Sequence, residues 1–511
     1  MSASDESSSE SEEESEPQFR AVYHAGGARK RPRSEQTEVA TRFVRARPSE
    51  APVGAATAPA PVGRLHTLAD RQRLWRALRD GDAILEACSI GDLVRHPLDV
   101  RRSTGSSNSI LLFGPLNYSA GRQRDDESDA QYADRRRRVA AIGRRDVVVK
   151  LSFESRHPEL DNSLDIERAV YRDVVADAAD RRYTPNLILF VGDYPCGRFT
   201  TGTRALAGAD LVGAAVDRLR TEMYEPDEEY DFGRASLLIL ERGRGMPMAE
   251  WMNTPDAKKL DRWPPILFQI LYTIQVLTEL GVRHNDLHVR ITTVLFDRLP
   301  DTARAHTQLN NIWIEQDLTP SNLVYFTTPE VYFVVPMRNA LVKIFDFDHA
   351  WYAAAGDNTL LNQDNWCRVR GVCNGPNAKM DSFTVLSRIY NNPHTPKPVR
   401  EWILRWFRDD DTLLLRNWPQ AGRPCLVVEE DANGHVTCDG NWEPLDDQLA
   451  PVAEILDRGF RQFRRELPDY DPAYLPQNGF EEVFRLPALT GQVTLSAQDI
   501  QPIRFPVVAT S

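Results

Sequence analysis

Three charged residues stand at positions where side-chain chemistry is expected. Asp286 lies in HNDLH, directly after an apolar helix and a glycine turn, so its carboxylate is presented on a rigid loop, as a base that meets a hydroxyl must be. Asp346 follows the strand LVKIF, and a carboxylate at a strand end suits Mg²⁺, which prefers oxygen ligands. Lys150 lies in the apolar strand VVVKL, where an unpaired charge is costly. We therefore expect Lys150 to have an acidic partner.

The expected partner is Glu167, which lies in LDIERAVYRDVV beside the apolar face of a predicted helix. A lysine held by a helical glutamate can bind the α- and β-phosphates of ATP. Taken alone, Lys150 is better explained by an edge strand that exposes the side chain, and HNDLH is equally well explained by a structural turn. Together and in this order, the residues favour ATP-dependent phosphoryl transfer.

The clearest predicted element is an apolar helix that begins at Pro264 and Pro265 and ends at Gly281. This helix delivers the HNDLH loop, so it must be part of the core. The other predicted elements are a helix over 163–180 and strands at 97–102, 109–114, 146–151, 187–192, 235–241 and 341–345.

These segments resemble the eukaryotic-type protein-kinase superfamily over roughly residues 70–490. HNDLH, KIFDFD and KMDSFTVL are most similar to the divergent, virion-associated serine/threonine protein kinases of large DNA viruses. The resemblance implies a two-lobed α+β fold, with a small, mainly β N-terminal lobe and a larger, mainly α C-terminal lobe. It also implies transfer of the γ-phosphate of ATP to protein hydroxyls, of the Ser/Thr type, with Mg²⁺.

The resemblance implies a role for each charged residue. Asp286 matches the catalytic base, Lys150 the lysine that anchors ATP, and Glu167 the helical partner of that lysine. Asp346 matches a metal ligand. Catalysis would then consist mainly of positioning and charge neutralisation around the γ-phosphate.

Other positions match the family pattern or depart from it. Glu241, in LLILERG, resembles the start of the interlobe hinge that binds the nucleotide, and Asp381 resembles the aspartate that opens a buried helix. No GxGxxG precedes Lys150, so Gly105 in STGSSNS is the best remnant of a phosphate-covering loop. Asn285 replaces the arginine that in many kinases binds a phosphorylated activation loop, which argues against that kind of switching.

The second metal ligand of the family is an asparagine five positions after the catalytic aspartate, and here that position is Ile291. Removing residues 289–308 would place Asn311 five positions after Asp286. The block begins with a valine, whose codon starts with GT, and its last residue, a glutamine, can be encoded by CAG. One hypothesis is therefore a retained intron, and the other is a genuine loop from which Asn311 still returns to the metal.

Two other functions stay open. A pseudokinase, which binds nucleotide or acts only as a scaffold, would explain Ile291 and the missing glycines. A kinase-like small-molecule phosphotransferase is the less favoured alternative, since HxDLH also occurs in enzymes that phosphorylate aminoglycosides or choline.

The sequence divides into four predicted regions. Residues 1–66 form a disordered acidic, Ser-rich tail and an Ala/Pro linker, and residues 67–241 form the N-terminal lobe with insertions. Residues 242–490 form the C-terminal lobe, and residues 491–511 form an extension.

Composition and charge limit the partners. The net charge of −12 argues against specific binding of nucleic acid, and protein substrates are expected instead. The serines of residues 4–16 are candidates for autophosphorylation, and RKRPR at 29–33 is a weak nuclear-import signal. No signal region and no apolar run near 20 residues is present, so we expect a soluble intracellular protein without membrane contact, in the host cytoplasm or the virion if it is viral.

Overall fold

A computed structural model of the chain describes parts of the region between residues 99 and 490. The predicted tail, the C-terminal extension, Gly105, Ile291 and the block 289–308 lie outside the described residues. The described residues are 99–102, 109–115, 128–133, 146–196, 209–222, 226–243, 245–287, 311–315, 322–337, 340–362, 372–407, 428–430, 436–438, 449–466 and 480–490.

A five-stranded antiparallel sheet forms the first lobe. Its order is β1-β2-β3-β5-β4, so β3, which carries Lys150, lies at the centre with a neighbour on each side. Apolar side chains of β3 and β5 alternate with the site-facing side chains and fill a core, in keeping with the β-branched run that predicts β3. The strands are β1 Asp99–Arg102, β2 Ser109–Pro115, β3 Asp146–Ser155, β4 Phe190–Cys196 and β5 Tyr230–Glu241.

The helices of this lobe follow the chain order. Helix α1 carries Glu167 and runs over the predicted span, but its middle, Val170–Val175, is a π-helical turn that the apolar spacing does not predict. The helices are α1, which consists of Ser163–Ala169, Val170–Val175 and Ala176–Asp180, then α2 Ala209–Glu222 and α3 Pro226–Glu229.

The second lobe is built around the predicted apolar helix, which is confirmed as a buried helix that ends just before Gly281. Gly281 has a φ of +73°, a conformation that glycine adopts without steric cost and that turns the chain into the HNDLH loop. The helices are α4 Met248–Met252, α5 Trp263–Glu279, α6 Met380–Asn391, α7 Lys397–Leu404 and α8 Val452–Gly459, with short 3₁₀ turns at Asp256–Lys258, Leu260–Arg262, Thr359–Asn362 and Pro487–Leu489.

This lobe also contains more β structure than the sequence predicts. A four-stranded sheet of order β15-β10-β9-β16 includes a hairpin inserted between the strands that flank the site, β8 and β11. Two aromatic and β-branched runs around TTPE signal this hairpin in the sequence. The strands are β6 Gly245–Pro247, β7 Val282–Arg283, β8 Ile312–Glu315, β9 Asn322–Phe326, β10 Val331–Pro336, β11 Leu341–Ile344, β12 Trp351–Tyr352, β13 Val428–Glu430, β14 Val436–Cys438, β15 Arg464–Glu466 and β16 Phe480–Arg485.

Within the described part of the chain, no helix is long and apolar enough to cross a membrane.

Candidate active site

The Lys150 side chain joins the two lobes. Its Nζ lies 2.9 Å from Oε1 of Glu167 on α1 and 2.8 Å from Oδ1 of Asp346, which follows β11. Lys150 and Glu167 are both buried, so the ammonium is held almost entirely by these carboxylates. The structure therefore brings three of the residues singled out in the sequence into one cluster.

Burial controls the protonation of this cluster. Desolvation raises the pKa of Glu167 to about 7 against the attraction of Lys150, and it also raises the pKa of Asp346. For Lys150, desolvation lowers the pKa, but the attraction of Asp346 and Glu167 outweighs it, so the pKa of Lys150 lies well above its usual value. The ammonium stays charged and is shared by two acids.

Asp286 lies on the loop after β7, and Asp381 at the start of α6 holds that loop. The two carboxylate oxygens of Asp381 accept hydrogen bonds from the backbone N–H groups of His284 (2.7 Å) and Asn285 (2.8 Å). Nε2 of His284 donates to the carbonyl oxygen of Phe345, at 3.1 Å, just before Asp346. The loop that carries Asp286 and the strand end that carries Asp346 are thus tied directly to each other.

Asn311 reaches Asp286 across the intervening block. Its Nδ2 donates to the backbone oxygen of Asp286 at 3.0 Å and to the Oδ2 of the same residue at 2.6 Å. Asn311 is buried at the start of β8. The two residues therefore meet with residues 289–308 present in the chain, and no excision is needed to bring them together.

Tyr171 is a site residue that the sequence reasoning missed. Its hydroxyl accepts a hydrogen bond from the backbone N–H of Asp346 at 3.1 Å. Its ring meets Phe347 edge-on at 5.3 Å, and Phe347 in turn lies 4.7 Å from the ring of His284. Asp346 has a φ of +71°, a strained conformation for a residue with a side chain, so this buried hydrogen bond supports an unusual backbone geometry. The position four residues after Glu167 is the signal that could have found Tyr171.

Glu241 is occupied by protein contacts. One of its carboxylate oxygens, Oε2, accepts a hydrogen bond from the backbone N–H of Leu189 at 3.1 Å and lies 3.4 Å from Nζ of the buried Lys343. Lys343 also donates to two backbone carbonyl oxygens. The backbone N–H of Glu241 donates to the carbonyl oxygen of Leu189 at 2.8 Å. A nucleotide contact at Glu241 therefore stays a prediction.

Asn285 fastens the segment that follows Asp346. Its Nδ2 donates to the carbonyl oxygens of His349 and Cys373, at 3.0 Å each. We call the chain between these two residues the segment after Asp346. The backbone of Asn285 has a φ of +65°, which asparagine tolerates better than most residues. A neutral amide thus joins the loop to the segment at the position where the family pattern has an arginine.

The same segment is tied to the start of α1. The backbone N–H of Thr359 donates to Oδ1 of Asn162 at 2.7 Å, and the backbone N–H of Asn162 donates to Oγ1 of Thr359 at 3.0 Å. Asn162 immediately precedes α1, the helix that carries Glu167. These hydrogen bonds involve only neutral groups, so the ties from the segment to α1 and to the loop need no phosphate.

His349 and Asp348 form a buried pair beside Asp286. Nδ1 of His349 lies 2.6 Å from Oδ1 of Asp348. Burial alone would lower the pKa of His349, but the attraction of Asp348 and this hydrogen bond raise it to about 9. The pKa of Asp348 lies below its usual value, because the attraction of His349 and Lys150 outweighs desolvation.

This pair predicts a loss of stability at high pH. The pKa of His349 is about 9 in the folded chain and about 6.5 in an unfolded one, so its contribution is complete below pH 6.5 and disappears as the pH rises to 9. We expect the free energy of unfolding of the wild-type chain, measured with urea in EDTA, to fall by on the order of 3 kcal/mol more than that of His349→Gln over this window. Parallel pH curves for the two chains would contradict the charged pair.

The strand-rich and helix-rich lobes and the cluster between them make the chain similar to protein kinases, which agrees with the resemblance and the α+β fold inferred from the sequence. Over 228 residues the chain is 22% identical to a "putative serine/threonine-protein kinase" of Acanthamoeba polyphaga mimivirus. That match covers 42% of this chain and 43% of the relative, less than half of either.

A solved structure of the autoinhibited serine kinase domain of the giant muscle protein titin matches 50% of this chain and 45% of its own, with 10% identity. Its TM-score of 0.25 is too low to support an argument about the fold. No protein-family model matches the chain.

Proposed function

We propose that the chain is an ATP-dependent protein kinase that transfers the γ-phosphate to serine or threonine hydroxyls. One observation carries this proposal: Lys150 is bound by Glu167 and Asp346, while Asp286, on a loop tied to the same strand end, is bound by Asn311. A candidate phosphate-binding cation, a candidate base and two candidate metal ligands are thereby brought close together. Phosphoryl transfer depends mainly on such positioning and charge neutralisation.

Lys150 holds the α- and β-phosphates in this proposal. Its ammonium is fixed by Glu167 and Asp346 and keeps its proton across the physiological range. A phosphate group that binds here meets a cation whose position is already determined. Because the lysine is already ordered, binding of the phosphate loses no free energy in ordering it, and the interaction can orient the γ-phosphate.

Asp286 accepts the proton of the attacking hydroxyl. Its Oδ2 receives the Nδ2–H of Asn311 at 2.6 Å, a contact that restrains the orientation of the carboxylate. Asp286 is partly exposed, whereas the loop residues before it are buried. The hydroxyl of a protein substrate can therefore approach a base on a rigid support.

Asp346 and Asn311 provide oxygen atoms suited to Mg²⁺. Oδ1 of Asp346 accepts from Lys150, which leaves Oδ2, and Nδ2 of Asn311 donates to Asp286, which leaves the amide oxygen. The donor set therefore fits a hard divalent cation. When bound, Mg²⁺ neutralises charge on the β- and γ-phosphates.

The class of phosphate acceptor and the cellular setting are proposed from the similarity to a relative. Similarity to a relative named as a serine/threonine kinase supports protein hydroxyls as acceptors, and the viral source of that relative supports action in an infected cell or a virion. The serines of residues 4–16 are the acceptors that we propose within the chain itself. The contact of Asn311 with Asp286 supports a kinase over a pseudokinase, for which the isoleucine at position 291 is the main argument.

The direct test is transfer of label from γ-labelled ATP and Mg²⁺ by the full-length chain, alone and with an acidic or a basic protein. We expect label on serine or threonine that is lost in EDTA. Binding of ATP without transfer would replace the proposal with a nucleotide-binding scaffold. Label on choline or an aminoglycoside, with none on protein, would assign a small-molecule phosphotransferase.

Tyr171→Phe is expected to raise the Mg²⁺ concentration that gives half-maximal transfer, because Asp346 loses the hydrogen bond from its N–H to the tyrosine hydroxyl. We also expect the free energy of unfolding to fall by about 1–3 kcal/mol, since a buried N–H is left unpaired.

The matched control for Tyr171→Phe is Tyr272→Phe. The buried hydroxyl of Tyr272 donates to the carbonyl oxygen of Phe326 at 3.1 Å, away from the site. This control should lose a comparable amount of stability and keep its Mg²⁺ dependence. Equal Mg²⁺ dependence in all three chains would remove Tyr171 as a positioning residue.

A further inference from the structure

Asp348 has a buried oxygen atom without a hydrogen bond. Its side chain is 2% exposed, and its Oδ1 accepts the hydrogen bond from His349. Its Oδ2 is also buried and has no hydrogen-bond partner, in contrast to most of the buried polar side chains that the structure describes. Burying a carboxylate oxygen without a hydrogen bond costs free energy, so we expect a ligand to bind this atom.

Asp348 faces two other groups that can bind metal. One ligand atom each from Asp286, Asp348 and His349 lies within 4.8 Å of the others. The residues come from two segments, the loop after β7 and the chain that follows β11. Asp348 and His349 are buried and Asp286 is partly exposed. The hydrogen bonds of the loop to Asp381 and Phe345 hold these two segments together without any metal.

The nearby cationic side chains are already paired with other carboxylate oxygens. Lys150 lies within 3 Å of both Glu167 and Asp346, so its ammonium is directed at those two carboxylates and not at Oδ2 of Asp348. His349 is the only cation hydrogen-bonded to Asp348 among the contacts described, and it uses Oδ1. Asp286 adds a further carboxylate to the same space. A divalent cation would balance this excess of negative charge.

We propose that Asp286, Asp348 and His349 form a second divalent-cation site, separate from the one assigned to Asp346 and Asn311. Two carboxylate oxygens and an imidazole nitrogen suit Mn²⁺ or a similar transition-metal ion better than Mg²⁺, which seldom takes nitrogen. The cation replaces the proton that His349 donates to Asp348, and that proton passes to the buffer.

One consequence rests on the proposed function. A cation on Asp286 occupies the carboxylate that is assigned as the base, so filling this site inhibits phosphoryl transfer. Mn²⁺ is then expected to support transfer at low concentration, through Asp346 and Asn311, and to inhibit it at higher concentration. The binding of the cation does not depend on this consequence.

The test is a titration of the full-length chain with Mn²⁺ in the absence of nucleotide, in which free Mn²⁺ is measured by its electron paramagnetic resonance signal. We expect one bound ion that a large excess of Mg²⁺ does not displace. Asp348→Asn, which keeps the shape of the side chain, should weaken this ion at least about tenfold. Asp346→Asn and the exposed-surface control Asp217→Asn should retain it.

His349→Gln provides a second variant in case Asp348→Asn fails to fold, which a thermal melt would reveal, and it should also weaken the ion at least about tenfold. Unchanged affinity in a folded Asp348→Asn or His349→Gln chain would overturn the site. Equal weakening by Asp346→Asn and Asp348→Asn would instead mean one shared ion, which also overturns it. None of these outcomes bears on phosphoryl transfer, because the titration contains no ATP.

Discussion

Asp286→Asn is expected to reduce transfer of the γ-phosphate by about 10²–10⁴-fold, the usual contribution of a general base. The asparagine keeps the size of the side chain but cannot accept the hydroxyl proton. Nucleotide binding should change little, because Lys150 and its two carboxylate partners are not altered. The measurement is the initial rate of label transfer to protein at saturating ATP, together with ATP affinity by calorimetry.

The control for Asp286→Asn is the same substitution at Asp217, which is exposed on α2. It should transfer label at the wild-type rate. If Asp286→Asn keeps that rate as well, Asp286 is not the base, and the assignment of Asn311 as its orienting partner is lost with it.

The second large effect is expected for Lys150→Met. Methionine fills a similar volume but leaves the buried carboxylates of Glu167 and Asp346 without their shared cation. Breaking a buried ion pair from one side costs about 3–5 kcal/mol, and the loss of one phosphate-binding charge should lower transfer by at least about a hundredfold. Urea unfolding and the label-transfer rate measure the two effects separately.

The double variant Lys150→Met/Glu167→Gln separates stability from function. The glutamine removes one of the two orphaned charges, so we expect part of the lost stability to return while transfer stays low. A double variant that is no more stable than Lys150→Met would mean that Glu167 is already uncharged in the single variant. That result would agree with the raised pKa of Glu167 and would leave Asp346 as the main partner of Lys150.

For some residues of the candidate site the sequence predicted the contact partner, and for others it did not. A lysine in an apolar strand requires a partner, and the structure has Oε1 of the expected Glu167 at 2.9 Å from Nζ of Lys150. The second partner, Asp346, could not be predicted, because it lies 196 residues away and reaches Lys150 only when the lobes meet. Motif spacing identified Asn311, but only the tertiary contact links it to Asp286.

Other features lie beyond sequence patterns for a physical reason. In the sequence, Tyr171 cannot be distinguished from any other buried aromatic residue. Its hydroxyl becomes part of the site only because α1 packs against the chain after β11. The unpaired oxygen of Asp348 is also a property of its surroundings. Gly105 lies outside the described residues, so its predicted role with the nucleotide stays a prediction.

The sequence indicated the kind of fold through its resemblance to protein kinases. Apolar spacing predicted the buried helix before the HNDLH loop, and the cost of a buried charge predicted a partner for Lys150, because both effects act locally. The tertiary structure decided which of these charges meet, that Glu241 contacts protein groups, and that an extra sheet enters the second lobe. Those outcomes depend on contacts between distant segments, and their geometry is set by packing and not by spacing along the chain.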